Sequence, residues 1–370
     1  MVVHFPQDPH QPVGWRLYPG GYLGHLFAGY TVFQAMFLTP AGELWVAAWA
    51  HQENFLLTYR AAQWIHHPNQ GGQFGPFAWY RQQLWTGRPA PMVLNQGQWR
   101  VSSVAAVQAA SAIGVDGGGL LWLGSEQGLW RSPDGLSWAA VALPESSKGV
   151  AALCTDATAG VWIAEHADYR RTALIHRWDS DSKLWQTLPP PAKRGIGSVT
   201  ALLASAAGEL WAASDRKGVF RWAGGAWRNF TSGRKTSASV PRLPSNTATS
   251  LAEDARGRIW AGTSAGLAVY DEGNWFPVVV APEPSVKGIG LQAWMPVPTG
   301  SGHLDRGGRL WFGTYDGHIG WIDTTRDHYV EPMSLIKTSF TPMAEPLIES
   351  GKSPAHRPAS ERVTEYEGGR

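Results

Sequence analysis

Seven tryptophans at a near-regular interval constrain this chain more than any other feature. Trp45, Trp85, Trp122, Trp162, Trp211, Trp260 and Trp311 lie 40, 37, 40, 49, 49 and 51 residues apart. That interval fits four short strands with their turns, and a four-stranded sheet cannot bury both faces alone. The unit is clearest at residues 258–275, RIWAGTSAGLAVYDEGNW. Apolar residues alternate over short runs, Gly, Asp and Asn mark the gaps, and no stretch keeps a helical period. A second aromatic follows at Trp64, Trp99, Trp138, Trp185, Trp227, Trp275 and Tyr329. The expected fold is all-β: a seven-bladed β-propeller of four-stranded antiparallel blades.

The chain ends bear on how such a ring closes. GWRLYP (14–19) is similar to the outer-strand phrases QWRVSS (98–103) and AWRNFT (226–231), so the N-terminal strand is expected to complete the final blade. HYVEPM (328–333) competes for that slot. The propeller is expected over residues 1–337. Residues 338–370, rich in Pro, Ser and charge, are expected to form a disordered tail.

Four phrases carry a family resemblance: DGGGLLWLGSEQGLW (116–130), AGELWAASDRKGVFRW (207–222), ARGRIWAGTSAGLAVY (255–270) and RGGRLWFGTYDGHIGW (306–321). They resemble the two-component regulator propeller repeat, roughly Asp-x-x-Gly-x-Leu-Trp-x-Gly-Thr followed by Gly-Leu and an aromatic. AGELWVAAW (41–49) and AGVWIAEH (159–166) match less well, and QLWTGR (83–88) poorly. The resemblance implies a bacterial sensor module, commonly extracytoplasmic. The N-terminus, however, has neither the basic start nor the apolar core of a signal peptide, and no run of eighteen apolar residues exists. As written, the chain is expected in the cytoplasm without membrane insertion, or in the periplasm if a leader has been removed.

A formal charge of +2 gives no global attraction to nucleic acid. The single cysteine, Cys154, follows an apolar run and reads as a buried thiol. Gly262-Thr263-Ser264-Ala265-Gly266 satisfies a nucleophile-elbow string but spans a turn between antiparallel strands, where that chemistry lacks its strand-to-helix context. Asp179 and Asp181 fall at a hairpin and do not offer calcium its oxygens. Adjacent His66 and His67 lack metal-ligand spacing, and GIGS (195–198) is no phosphate loop. RSPDGLSW (131–138) resembles the Asp-box turn of other propellers, a fold device. No catalytic residue, metal or cofactor is expected.

Most tryptophans sit on the repeat and are expected to pack between blades; Trp49, Trp79 and Trp294 fall off it and are the better ligand candidates. In a propeller the loops between second and third strands gather at one end of the central channel. The expected site is that mouth. Its candidates are Trp49, His51 and Glu53; Arg88; Glu126; Glu165, His166, Asp168, Arg170 and Arg171; Asp215, Arg216 and Lys217; and Tyr315, Asp316 and His318. The expected function is non-catalytic, sensor-like recognition of a small polar ligand, a saccharide or a peptide. The alternatives are a protein-interaction scaffold and, behind both, a polysaccharide-processing lyase or hydrolase.

Overall fold

The computed structural model describes residues 31–50, 53–61, 63–67, 73–102, 109–144, 147, 149–167, 172–191, 195–233, 242–278, 308–314 and 319–324. It also gives the backbone of three strands, at 2–4, 15–18 and 294–296. Two of these are the N-terminal β1 (Val2–His4) and β2 (Trp15–Tyr18). The next strands are β3 (Thr31–Leu38), β4 (Leu44–Ala50), β5 (Glu53–Arg60) and β6 (Gln63–His66). Then come β7 (Phe77–Tyr80), β8 (Gln83–Thr86), β9 (Met92–Asn95) and β10 (Gln98–Val101). The third group is β11 (Ala112–Val115), β12 (Leu121–Ser125), β13 (Gly128–Ser132) and β14 (Ala139–Val141). The fourth is β15 (Val150–Thr155), β16 (Val161–Glu165), β17 (Ile175–Asp179) and β18 (Leu184–Thr187). The fifth is β19 (Val199–Ala204), β20 (Leu210–Ser214), β21 (Gly218–Ala223) and β22 (Ala226–Phe230). The sixth is β23 (Ala248–Glu253), β24 (Ile259–Thr263), β25 (Gly266–Asp271) and β26 (Asn274–Val278). The last strands are β27 (Trp294–Pro296), β28 (Arg309–Thr314) and β29 (Ile319–Asp323).

The strands make antiparallel sheets of a β-propeller, each built round one of the repeating tryptophans, which all lie on the second strand of their sheet. Six sheets have four strands. The expectation of seven four-stranded blades therefore fails at the Trp45 sheet, which has five, in the order β1-β6-β5-β4-β3. The reason is an edge: the outer side of β6 offers unpaired backbone groups, and β1 takes them, with Val3 opposite Trp64. In the Trp311 sheet the fourth strand is β2, paired to β29 with Trp15 opposite Ile322. HYVEPM and the whole of 338–370 lie outside the described residues.

The repeat motif has a bonding reason. In the Trp122 sheet, Asp116 ends the first strand; its Oδ1 accepts Leu120 N–H at 2.9 Å and its Oδ2 accepts Trp122 Nε1–H at 2.8 Å. Asp156 repeats this with Gly160 N–H (2.8 Å) and Trp162 Nε1–H (3.0 Å). Asp254 does so with Arg258 N–H (3.0 Å) and Trp260 Nε1–H (2.8 Å). One carboxylate thus closes the turn and satisfies the buried indole six residues on. The glycine of the motif holds a left-handed backbone, φ +77° at Gly119 and Gly208 and +76° at Gly257.

Cores form where neighbouring sheets face each other, as the periodic tryptophans require. Trp122, Trp211, Trp260 and Trp311 are all but fully buried, and Trp45 and Trp85 nearly so; Trp162 is half-buried. Arginines on the third strands cover several of these rings: Arg131 lies 5.8 Å from Trp122, Arg177 5.6 Å from Trp162 and Arg221 5.7 Å from Trp211. Each stands directly opposite its tryptophan in the strand register. Of the off-beat tryptophans, Trp79 packs against the core between the Trp45 and Trp85 sheets, and Trp49 is half-buried in β4. Nothing is described of the Trp294 side chain.

Candidate functional site: a channel ringed by bulged strands

The first strands of the sheets stand side by side, β3 against β7, β7 against β11, and so on through β15, β19, β23 and β27. Between them runs a cavity of about 410 Å³, lined by residues of β3, β11, β15, β19 and β23 and by the start of β7. That volume falls in the range of small-molecule sites.

What shapes the wall is a recurrent β-bulge. Strand pairing shifts register between Phe33 and Ala35, Val150 and Ala152, Val199 and Ala201, and Ala248 and Ser250. The skipped residues are Gln34, Ala151, Thr200 and Thr249, and all four line the cavity. A bulged residue is left out of the ladder and its side chain is re-aimed. Ser111, at the head of β11, lines the same cavity. Gln34, Ser111, Ala151, Thr200 and Thr249 each precede the tryptophan of their sheet by eleven residues.

The hydroxyls of this ring donate to main-chain carbonyls, Thr249 to Gly262 O at 3.2 Å. Ser111 donates its hydroxyl proton to Val150 O, and Thr200 donates to Ala248 O at 2.8 Å, each reaching the first strand of the next sheet. Thr155, deeper in the channel, donates to Val115 O at 3.0 Å. Gln34 Nε2 donates to Asn54 at 3.4 Å, while Gln34 Oε1 is buried with no hydrogen-bond partner among the described residues. Near the other end stands Glu253, whose Oε2 accepts Ala206 N–H at 2.8 Å. Burial pushes its carboxyl above the ordinary value; that bond opposes the shift, and the Asp254 and Glu209 charges add to it. Cys154 also lines the channel, with its thiol pushed well up by burial, so it is not a ready nucleophile.

None of the described residues expected at the mouth lines this cavity. Several have structural work instead. Arg88 donates from Nε to Ala110 O at 2.8 Å and from Nη1 to Gln73 at 3.5 Å. Glu165 is buried and bonds His176 Nε2 at 2.8 Å, while His176 Nδ1 meets Thr187 Oγ1 at 2.8 Å, a chain across three strands of the Trp162 sheet. Lys217 donates to Gly195 O at 3.2 Å. Glu53 and Glu126 are exposed, and exposed Arg216 lies 3.7 Å from half-buried Asp215. His166 is half-buried, and its Nε2 is enclosed with no partner among the described residues. His51, Asp168, Arg170, Arg171, Tyr315, Asp316 and His318 lie outside the described residues.

The rejected motifs stay within the fold. Ser264 sits in the tight turn between β24 and β25 and meets Ser245 Oγ at 2.7 Å. Asp179 accepts Asp181 N–H (2.9 Å) and Ser182 N–H (3.0 Å), which closes the β17–β18 hairpin. Among the described residues no group of three or more His, Cys, Asp or Glu could hold a metal.

Residues 242–265, from the approach to β23 to the turn after β24, match the family model described as "Two component regulator propeller". The chain carries a two-component regulator propeller repeat. Around that repeat, the fold of most of the chain is similar to that of solved structures. One is the extracellular domain of the hybrid two-component system BT4673 from B. thetaiotaomicron, at 15% identity and a TM-score of 0.61, covering 79% of this chain and 38% of that one. Another is the corresponding domain of BT3049 from the same organism, at 12% identity and a TM-score of 0.63, covering 85% and 41%. This propeller thus spans well under half the length of either two-component chain. Virginiamycin B lyase from Staphylococcus aureus is similar at 13% identity and a TM-score of 0.60, covering 84% and 98%. At such identities the likeness is one of fold. No curated protein sequence matches the chain.

Proposed function

We propose that this chain is a non-catalytic, sensor-like recognition propeller that takes a small ligand into its central channel. The observation that carries the reading is the cavity of about 410 Å³ walled by bulged first strands. Four sheets spend a ladder position at the same level, and each spends it on a side chain facing one space. In this reading the Trp45 sheet is the seventh blade and β2 closes the ring. Support comes from Phe33, Trp64, Trp311 and Ile319, which share one core across the first and last sheets. The ligand enters from the end where the second-to-third-strand loops gather, so Glu126, His166 and Arg216 act at the entrance. Placement outside the cytoplasm, like that of the two extracellular B. thetaiotaomicron domains, belongs to this proposal.

A scaffold would present a contiguous apolar face. The large apolar side chains described as exposed, Val101, Leu136 and Leu184, belong to three different sheets.

The test is a melting screen of the chain against sugars, amino acids, amines and nucleotides, repeated with Thr200→Trp, which fills the channel. A ligand binding only the native state at a hundred times its Kd adds about 2.7 kcal/mol of stability. One class is expected to raise the wild-type midpoint and to leave folded Thr200→Trp unmoved. A screen without any shift, or a shift that the tryptophan variant keeps, would overturn the channel as a binding site.

A further inference from the structure

The Trp45 sheet departs from its neighbours in how it covers its tryptophan. Where the Trp122, Trp162 and Trp211 sheets set an arginine opposite the ring, this one has Thr58. The Thr58 hydroxyl meets His67 Nε2 at 2.7 Å, and the His67 imidazole lies flat on Trp45, 5.1 Å between ring centres and 13° from parallel. His67 also extends the ladder beyond β6, its N–H donating to Leu56 O at 2.9 Å. His66 sits over Phe55 at 5.7 Å. Trp45 belongs to the core shared with the Trp85 sheet, and Phe55 to the core shared with the Trp311 sheet. The two half-buried imidazoles thus finish β6 on both of its faces. That strand is the one that carries β1.

The arginines of the other sheets keep their charge across the physiological range, whereas an imidazole changes its own. Burial holds the His67 ring below its ordinary value of 6.5; the charges of His66, Arg60 and the N-terminal amine add to this, and Glu43 opposes it. His66 is lowered by burial first and then by the N-terminal amine, against Glu53. Among the described residues no carboxylate bonds either ring, and Glu43 is already paired with Arg60 at 3.4 Å. The Trp45 face attracts a cation, but charging the pair sets two imidazolium ions side by side near Arg60. We propose that His66 and His67 form an acid-sensitive latch, which holds β6 against both neighbouring cores while neutral and releases β6, and β1 with it, when protonated. Both rings bind protons less readily folded than unfolded. The stability they lend is therefore complete above 6.5 and is lost as pH falls below it.

Two measurements on the full chain test the latch: NMR titration of the histidine rings, and hydrogen exchange at about pH 7.5 and about pH 5, corrected for the intrinsic exchange rate. Both rings are expected to titrate below 6.5. Residues 63–67 and β1 are expected to lose about tenfold or more of their protection at the lower pH, since each whole step between the folded value and the ordinary one is a factor of ten. Strands β19–β26 are expected to keep theirs. In the double variant His66→Gln/His67→Gln, whose amides can hydrogen-bond but carry no charge, the acid loss is expected to disappear. Melting curves at the higher pH show whether that variant folds; if it does not, His67→Gln alone is expected to remove most of the loss. Titration of either ring at or above 6.5, equal protection at the two pH values, or an acid loss that the glutamine variant keeps would each overturn the latch.

Discussion

At the scale of single residues, the fold is held by carboxylates that answer buried indoles. Asp116, Asp156 and Asp254 each take the N–H of the tryptophan six positions on. In the Trp211 sheet the same position is Ser205, whose hydroxyl accepts Glu209 N–H at 3.2 Å but does not reach the indole. Trp211 Nε1 is buried with no partner among the described residues. Ser205→Asp is therefore expected to stabilise the chain by about 1 kcal/mol, the usual net worth of one hydrogen bond. Urea unfolding of the two proteins measures it, and an unchanged or lowered midpoint would show that the indole is not short of an acceptor. The repeat was legible in sequence because this bond fixes both Asp and Trp in the motif. The channel ring was not, because Gln34, Ser111, Ala151, Thr200 and Thr249 share no residue type and are united only by lying eleven positions before a tryptophan. The mouth residues drew attention by charge, yet Arg88 and Glu165 spend theirs inside the sheets.

Within the elements, the first-to-second-strand turn shows what backbone conformation asks of sequence. Its fourth residue is left-handed in every described Asp- or Ser-headed copy, and it is glycine at 119, 208 and 257 but Ala159 in the Trp162 sheet, at φ +60°. A Cβ in that region costs roughly 1–2 kcal/mol. Ala159→Gly is expected to regain about 1 kcal/mol, and Gly119→Ala to lose a similar amount. Thermal midpoints moving in the same direction for both would refute the conformational account. Acid probes the same turns. Asp134, in the β13–β14 turn, is held at about 2 by Ser137 N–H and Leu136 N–H. Burial pushes Asp156 up, but bonds from Thr158, Arg177 and Gly160 outweigh it and leave it also at about 2. Both carboxyls titrate lower folded than unfolded, where the ordinary value is 3.8. Their contribution is thus complete above that ordinary value and is lost as pH falls towards about 2. Asp156→Asn should flatten the fall in urea midpoint over that window, and an unchanged slope would show that Asp156 carries none of it. The Asp134 turn also explains a cross-sheet contact invisible in sequence: Gly135 at φ +77° lies against Trp85, and its carbonyl accepts Ser102 Oγ–H and Trp138 Nε1–H.

For the whole molecule, the question is what would hold the sheets in one closed ring. Seven tryptophan beats specified the sheets, since each beat needs a partner surface on the next. They did not specify the fifth strand of the Trp45 sheet, because Val2–His4 carries no repeat signal and an unpaired strand edge selects its partner through backbone groups that any sequence supplies. The N-terminal chain gives β1 to the first sheet and β2 to the last. Its two strands therefore clasp neighbours whose other contacts are side-chain packing, such as Tyr59 against Trp311 at 5.2 Å. If the clasp closes the ring, deleting residues 1–18 strips the outer edges of β6 and β29 and leaves the last sheet with three strands. The two ladders lost, of three residues on β6 and four on β29, at about 1 kcal/mol net for each hydrogen bond, put the loss at about 4–7 kcal/mol. The first and last sheets should then open before the rest, since a solenoid or ring with a free end frays from that end. Hydrogen exchange reads this directly: faster exchange in β3–β6 and β28–β29, with β15–β26 unchanged, is the expected pattern. Uniform loss of protection would mean that the ring unfolds as one unit, and no change would mean that side-chain packing between Phe33, Trp64 and Trp311 closes the ring without the clasp.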